Sequence, residues 1–312
     1  MLAEITLAVL GGVVTVGGLY HCYRYFCGLQ EIKKNLAHFS YVAEYDAYLD
    51  AQPQFFVTQP KQPYGVLFLH GFCVSAQVFA PILDELRKEN INFYAITFTG
   101  YGMQCPNLLE VVRYQDWLRD AIRAYDVLAQ TVEKVHVVGS SLGCAQAMIL
   151  SRYREVDKMV QLSPAMYLEL EFKWFVRLAG VPIIRNLLCW LYPFYTKKFC
   201  RDRKTRLDLC SVHSAKTTFN AATFPIHVGR AVEKTLKHVD FVLARFNELA
   251  VLYGKQDQVV NIAVYLKRLE KFHIKYVSKS YENSAHLITM DYDSEQVTRD
   301  VISFLQTAKI NT

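Results

Sequence analysis

The sequence lacks the marks of several large protein classes. Its 312 residues hold no internal repeat and no low-complexity tract, which excludes repeat arrays and polar disordered segments. None of the eight cysteines (Cys22, Cys27, Cys73, Cys105, Cys144, Cys189, Cys200, Cys210) stands in a CxxC pair. That excludes a zinc ribbon and a compact disulfide framework; scattered thiols in apolar surroundings read as small hydrophobes in a reducing compartment. Glycine (14) and proline (9) are scarce, and 52% of residues are hydrophobic. Such a chain can bury a full core as one large α/β domain or as two small ones. Charge of one sign is nearly absent as a signal: the formal net charge is +6. Part of it sits in Lys197–Arg206, which reads either as a solvated face or as a patch drawn to an anionic membrane. No nucleic-acid motif accompanies the run, so no nucleic acid is expected as a partner.

One stretch lacks charge altogether. Ile5–Tyr23 carries none if His21 is neutral. As a helix it would be about 28 Å long, against roughly 30 Å of bilayer hydrocarbon. Tyr20, Tyr23, Tyr25 and Phe26 suit an interfacial belt, and Arg24, Lys33 and Lys34 follow. The opening MLAEIT has no Lys or Arg and no A-x-A pattern follows, which argues against a secretory signal. A helix belonging to the soluble domain is the other alternative. The expectation is an anchor over 1–27 and a juxtamembrane linker over 28–52. A catalytic domain over 53–312 would then face the cytoplasm as part of a single-pass membrane protein.

From Gln54 onward short apolar runs alternate with amphipathic ones. Strands are expected at Gln54–Thr58, Gly65–Leu69, Phe93–Thr97, Lys134–Val138, Lys158–Leu162, Glu248–Tyr253 and Ile274–Val277. Helices are expected at Ser75–Glu89, Gln115–Thr131, Leu142–Tyr153 and Asp293–Ala308. This alternation predicts an α/β fold with a mostly parallel sheet covered by helices. The rhythm breaks over 164–244, which has no clear strand and many aromatics, including Phe172, Trp174, Phe175, Trp190 and Tyr192. It reads as a helical cap over the carboxyl ends of the strands.

Within this frame, Gly139-Ser140-Ser141-Leu142-Gly143 lies between a β-branched strand and a helix. A serine on a sharp strand-to-helix turn needs small neighbours two residues away on each side, which makes Ser141 the candidate nucleophile. The turn also offers the Leu142 amide to a developing oxyanion. A second amide, that of Phe72, is expected from the loop His70-Gly71-Phe72 after the strand Gly65–Leu69. His70 is expected to brace that loop rather than to act as a base. A serine hydroxyl needs a base that titrates near neutrality and a carboxylate to orient it, in chain order Ser, Asp, His. Asp257 follows the strand Glu248–Tyr253, and Asp240 is the weaker alternative. His286 lies between the last strand and last helix, unlike His213, His227, His238 and His273.

These strings, with Gly254-Lys-Gln-Asp257-Gln-Val-Val and Ser284-Ala-His286-Leu-Ile-Thr-Met-Asp291, resemble the α/β-hydrolase superfamily over about Gln54–Ala308. The nearest branch is that of bacterial carboxylesterases and monoacylglycerol lipases. Cys144 departs from its pattern, standing where members usually carry a second small residue, and it is small enough to fit as a packed thiol. The resemblance implies hydrolysis of a carboxylic ester through an acyl-enzyme, with no cofactor and no metal. The aromatic cap and the expected anchor point to a lipid ester such as a monoacylglycerol. A thioester or small ester remains open, as does a catalytically silent, membrane-tethered binding module.

Overall fold

The computed structural model describes residues 2–37, 39–42, 47–58, 61–102, 107–196, 199–200, 205–206, 208–221 and 223–310. At its centre is a seven-stranded sheet: β1 (Gln54–Phe56), β2 (Gln62–Leu69), β3 (Phe93–Ala95), β4 (Val132–Ser140), β5 (Val156–Leu162), β6 (Phe246–Gly254) and β7 (Val277–Tyr281). The spatial order is β7-β6-β5-β4-β2-β3-β1, parallel throughout except that β1 runs antiparallel to β3. The α/β class and the alternation expected from the sequence are therefore present.

Alternation within a strand sends side chains to opposite faces. Leu67, Leu69 and Val137 join a cluster with Trp117, Leu128 and Tyr265. Val66, Phe68 and Val138 join another with Phe79, Leu83 and Phe304. Helices α3 (Tyr114–Ala129), α4 (Leu142–Leu150) and α8 (Ile262–Lys271) supply the first face, while α2 (Ala80–Lys88) and α9 (Ser294–Thr307) supply the second. In α3 the buried residues Trp117, Ala121, Ala124 and Leu128 recur at helical spacing. Every residue of α4 is buried, so this helix sits at the heart of the molecule.

The sheet has one topological switch. From β2 the chain crosses to β3 on one side, and the next strand, β4, lies on the other side of β2. Open α/β sheets place their sites in the crevice where the strand order reverses. The loops after β2 and β4 flank it.

Two expectations are corrected. The last strand begins at Val277, where the apolar run was expected to end. Its register is set by pairing with β6, from Ala250↔Val277 to Gly254↔Tyr281. As an edge strand it needs no continuous apolar pattern. Between β5 and β6 the chain forms helices α5 (Leu170–Gly180), α6 (Pro182–Leu191) and α7 (Gly229–His238), but it is not purely helical. Phe194–Thr196 pairs antiparallel with Thr223–Pro225, and Phe199–Cys200 with Thr205–Arg206. Strands of two or three residues are too short to show a period. The remainder of the basic run, and Cys105, lie outside the described residues.

The expected transmembrane anchor finds no support among the described residues. Residues Leu2–Leu36 form one helix, α1, yet among the described residues no helix is long and apolar enough to cross a membrane. Side chains ahead of Thr15 lie outside the described set. Beyond it, Gly17, Gly18 and His21 dilute the apolar residues, and the helix is engaged with protein. His21 Nδ1 lies 2.8 Å from the Trp190 carbonyl, the Tyr25 hydroxyl donates to Glu110 at 2.9 Å, and Asn35 donates to Thr223 at 3.0 Å. The expected linker is partly continued helix, ending with Ile32 and Leu36 buried against Tyr48 and Phe219.

Candidate active site

Strand β4 ends at Ser140, paired with Leu162 of β5, and the next residue turns sharply. Ser141 has φ 53 and ψ −115, a backbone conformation outside the regions that L-residues favour. Its amide donates to the Leu162 carbonyl at 2.9 Å, which holds the strained turn against the neighbouring strand. Leu142 opens α4 immediately afterwards, so its amide has no intrahelical acceptor. Gly143 permits the turn to press on β2: a Cβ there would lie 1.8 Å from the Leu69 carbonyl oxygen.

The loops after β6 and β7 bring the other two groups. His286 Nε2 lies 2.7 Å from Ser141 Oγ, and its Nδ1 lies 2.7 Å from Asp257 Oδ2. Ser141 and His286, 145 positions apart in the chain, thus meet directly. Asp257 Oδ1 accepts from the amides of Val259 (2.8 Å) and Val260 (3.3 Å), which orients the carboxylate before it meets the ring. Gly254 lets the two loops approach, since a Cβ there would lie 2.2 Å from the carbonyl oxygens of Ser284 and Ala285. With Nδ1–H directed to the carboxylate, Nε2 is left to accept from the serine hydroxyl.

On the other side of the nucleophile runs the loop after β2. Gly71 is so close to Ser141 that a Cβ would lie 2.9 Å from the serine Cβ. Phe72 follows, and Cys73 takes the left-handed conformation with φ 65. The Cys73 carbonyl accepts from Ala221 at 2.8 Å, tying this loop to the segment between β5 and β6. His70 has both ring nitrogens engaged. Nε2 accepts from the Phe98 amide at 3.0 Å, and Nδ1 donates to the Gly71 carbonyl at 2.7 Å. Burial lowers its pKa to about 4, so it stays neutral and braces the loop. Burial likewise pushes the Cys144 thiol far above its ordinary range. It donates to the Gly139 carbonyl at 3.1 Å and is packed under the turn rather than poised to react.

The rival residues are elsewhere. Asp240 caps a turn by accepting from the amides of Val242 and Leu243. His238 is committed to Tyr114 and to the Lys234 carbonyl, and His273 stands just beyond the carboxyl end of α8. One residue that sequence reasoning left without a role is Asp291. Its buried carboxylate accepts from four amides, those of Cys210, Ser211 and Ala285 at 2.8 Å and Tyr292 at 3.1 Å. It thereby pins the residue preceding His286 to the inserted segment. The only signal was an acidic residue five positions after the histidine, and its partners at 210 and 211 are far away in sequence.

A family model described as serine aminopeptidase, S33 matches residues 61–293. The chain is 23% identical over 252 residues to a carboxylesterase of Bacillus subtilis (strain 168), covering 78% of this chain and 92% of that protein. Among solved structures it is similar to a metagenome-derived lipolytic enzyme of the LipS and LipT pair, with TM-score 0.66 and 17% identity over 83% of this chain and 98% of that one. It is also similar to a monoacylglycerol lipase of Paleococcus ferrophilus, with TM-score 0.63 and 16% identity over 81% and 97%. At such identities the structural likeness concerns the fold.

Proposed function

The chain belongs to the serine aminopeptidase S33 family of hydrolases, in the α/β-hydrolase superfamily, and from that premise we propose that it is a serine esterase acting on lipid esters such as monoacylglycerols. The observation that carries this reading is the hydrogen-bonded series Asp257–His286–Ser141, with 2.7 Å at each step.

In the proposed cycle, His286 Nε2 takes the Ser141 proton as Oγ attacks the acyl carbon. Asp257 holds the ring in the required tautomer and stabilises the imidazolium. The amides of Phe72 and Leu142 receive the oxyanion; each such donor contributes about 10²–10³ in rate. The imidazolium returns its proton to the leaving alcohol, and a water activated by His286 releases the acid. Every step uses side chains and amides of this chain. A lipid acyl group is favoured by an aromatic series beginning at the proposed oxyanion residue: Phe72 contacts Tyr101 and Phe224, and Phe224 contacts Tyr195. In the inserted segment, α5 and α6 also expose the apolar side chains Trp174, Ile183, Leu187 and Trp190.

A fluorophosphonate probe tests the mechanism. Labelling of the wild type and none of Ser141→Ala is expected; equal labelling of both would remove Ser141 from the role. A panel of p-nitrophenyl esters, acyl-CoAs and monoacylglycerols tests the substrate. Preference for acetyl over longer chains, or for thioesters, would leave a serine hydrolase but end the lipid-ester assignment.

A further inference from the structure

Away from the crevice, a cavity of about 670 Å³ opens between the short helix Asn107–Val111, the N-terminus of α3, helix α6 and the start of α7. Its charged lining is Glu110, Arg113, Arg185, Arg230 and Lys234. Arg185 is the unusual member. It sits on the inward face of α6 with Cys189, only 8% exposed, where an apolar side chain would be expected. A buried guanidinium costs several kcal/mol unless it is paired. Yet among the described residues neither Arg185, Arg230 nor Lys234 has a carboxylate within ion-pair distance, and no hydrogen bond holds the Arg185 side chain.

The charge of the lining can be counted. Arg113 lies 3.5 Å from Asp116 and is offset by it. Glu110, which accepts from Tyr25, offsets one more cation. Arg185, Arg230 and Lys234 less Glu110 leave a surplus of two positive charges. Burial holds His227 below its usual range against the pull of Glu110, with a smaller push from Arg185, so it adds no charge. His238 is spent on Tyr114 and a backbone carbonyl. The positive end of α3, a 16-residue helix, also faces the cavity through residues 113–115.

We propose that this cavity is a binding site for a phosphate monoester dianion, with the Arg185 guanidinium as its central ligand and Arg230 and Lys234 closing over the phosphate from α7. A doubly charged phosphoryl group matches the surplus, and the planar guanidinium can engage two of its oxygens. The group can arrive as the headgroup of a lipid ester or as a free soluble phosphate. The site does not require the assignment of Ser141.

The test is titration of the full chain with glycerol 3-phosphate and with inorganic phosphate, read by calorimetry and by Tm at constant ionic strength against NaCl. Saturable binding is expected in the wild type and equally in Ser141→Ala. Arg185→Met should weaken it at least tenfold. The exposed double variant Arg230→Ala/Lys234→Ala should do the same while leaving the fold intact. No response beyond NaCl, or equal binding in both variants, overturns the site. Kinetics separate the sources. If the ligand is a headgroup, the double variant raises KM about tenfold for a 1-acylglycerol 3-phosphate and not for a 1-acylglycerol. If it is a free phosphate, binding is lost in the double variant while both esters are hydrolysed as before.

Discussion

The crevice at the ends of β2 and β4 and the cavity beneath α6 are both polar, but they are finished differently. In the crevice the carboxylates and imidazoles meet partners from the chain itself. Asp257 has His286 and two amides, Asp291 has four amides, and both nitrogens of His70 are engaged. In the cavity Arg185 is buried with no carboxylate among the described residues within ion-pair distance. A site that acts on a neutral carbonyl needs alignment, and alignment is supplied internally. A site with surplus charge is completed only by what it binds.

The largest effects should come from breaking the internally paired site. Ser141→Ala and His286→Ala are expected to lower turnover by about 10⁴-fold or more, measured with a p-nitrophenyl ester. Ser141→Ala should leave phosphate binding untouched, which sharpens the separation between the two regions. Asp257→Asn should cost about 10⁴ in kcat with an unchanged melting profile, because the amide favours the wrong tautomer of the ring.

Next comes the packing that supports the turn. Gly143→Ala would drive a methyl into the Leu69 carbonyl, and a loss of more than about 4 kcal/mol is expected in urea unfolding. Wild-type stability in that variant would mean that β2 and α4 can move apart.

A smaller effect is set by pH. His70 has a folded pKa of about 4 against 6.5 for the free group. Above pH 6.5 both states are neutral and there is no dependence. As pH falls from 6.5 to 4 the unfolded chain takes the proton first, so stability drops; below 4 the difference is constant. His136, lowered to about 4 chiefly by burial, acts in the same direction. His70→Asn should flatten part of the slope of unfolding free energy between pH 7 and 4, and an unchanged slope would assign it elsewhere. The smallest effect is expected at the outer face of α6. Ile183→Ser should change stability by less than about 0.5 kcal/mol, since Ile183 is 83% exposed.

Legibility followed the range of the interactions involved. Strands β2, β4, β5 and β6 could be read because they are buried on both faces and show continuous apolar runs. The edge strand β7 was displaced by several residues because its pattern, Val277-Ser-Lys-Ser-Tyr281, carries no such run. Helix α1 could be read as a helix, but its environment could not. An uncharged stretch is compatible with lipid or with a protein surface, and contacts such as His21 with Trp190, 169 residues away, are invisible in the string. Cys144 illustrates the reverse case, where a small residue beside a motif glycine could be read as packed thiol and is found buried.

What the amino-acid order determined alone is local. Steric limits on a strand-to-helix turn select Gly139, Ser141 and Gly143, and the two periods of side-chain burial mark the strands and helices. What only the tertiary structure decided is which distant groups meet. Asp257, His286 and Ser141 converge because parallel strands end at one edge of the sheet, and Asp291 reaches residues 210 and 211 because the inserted segment folds back over that edge. Arg185 becomes a buried charge without an ion-pair partner among the described residues for the same reason: its surroundings come from α3 and α7, not from its neighbours in the chain. Such juxtapositions depend on strand register and crossover geometry, which are properties of the whole sheet and of no single segment.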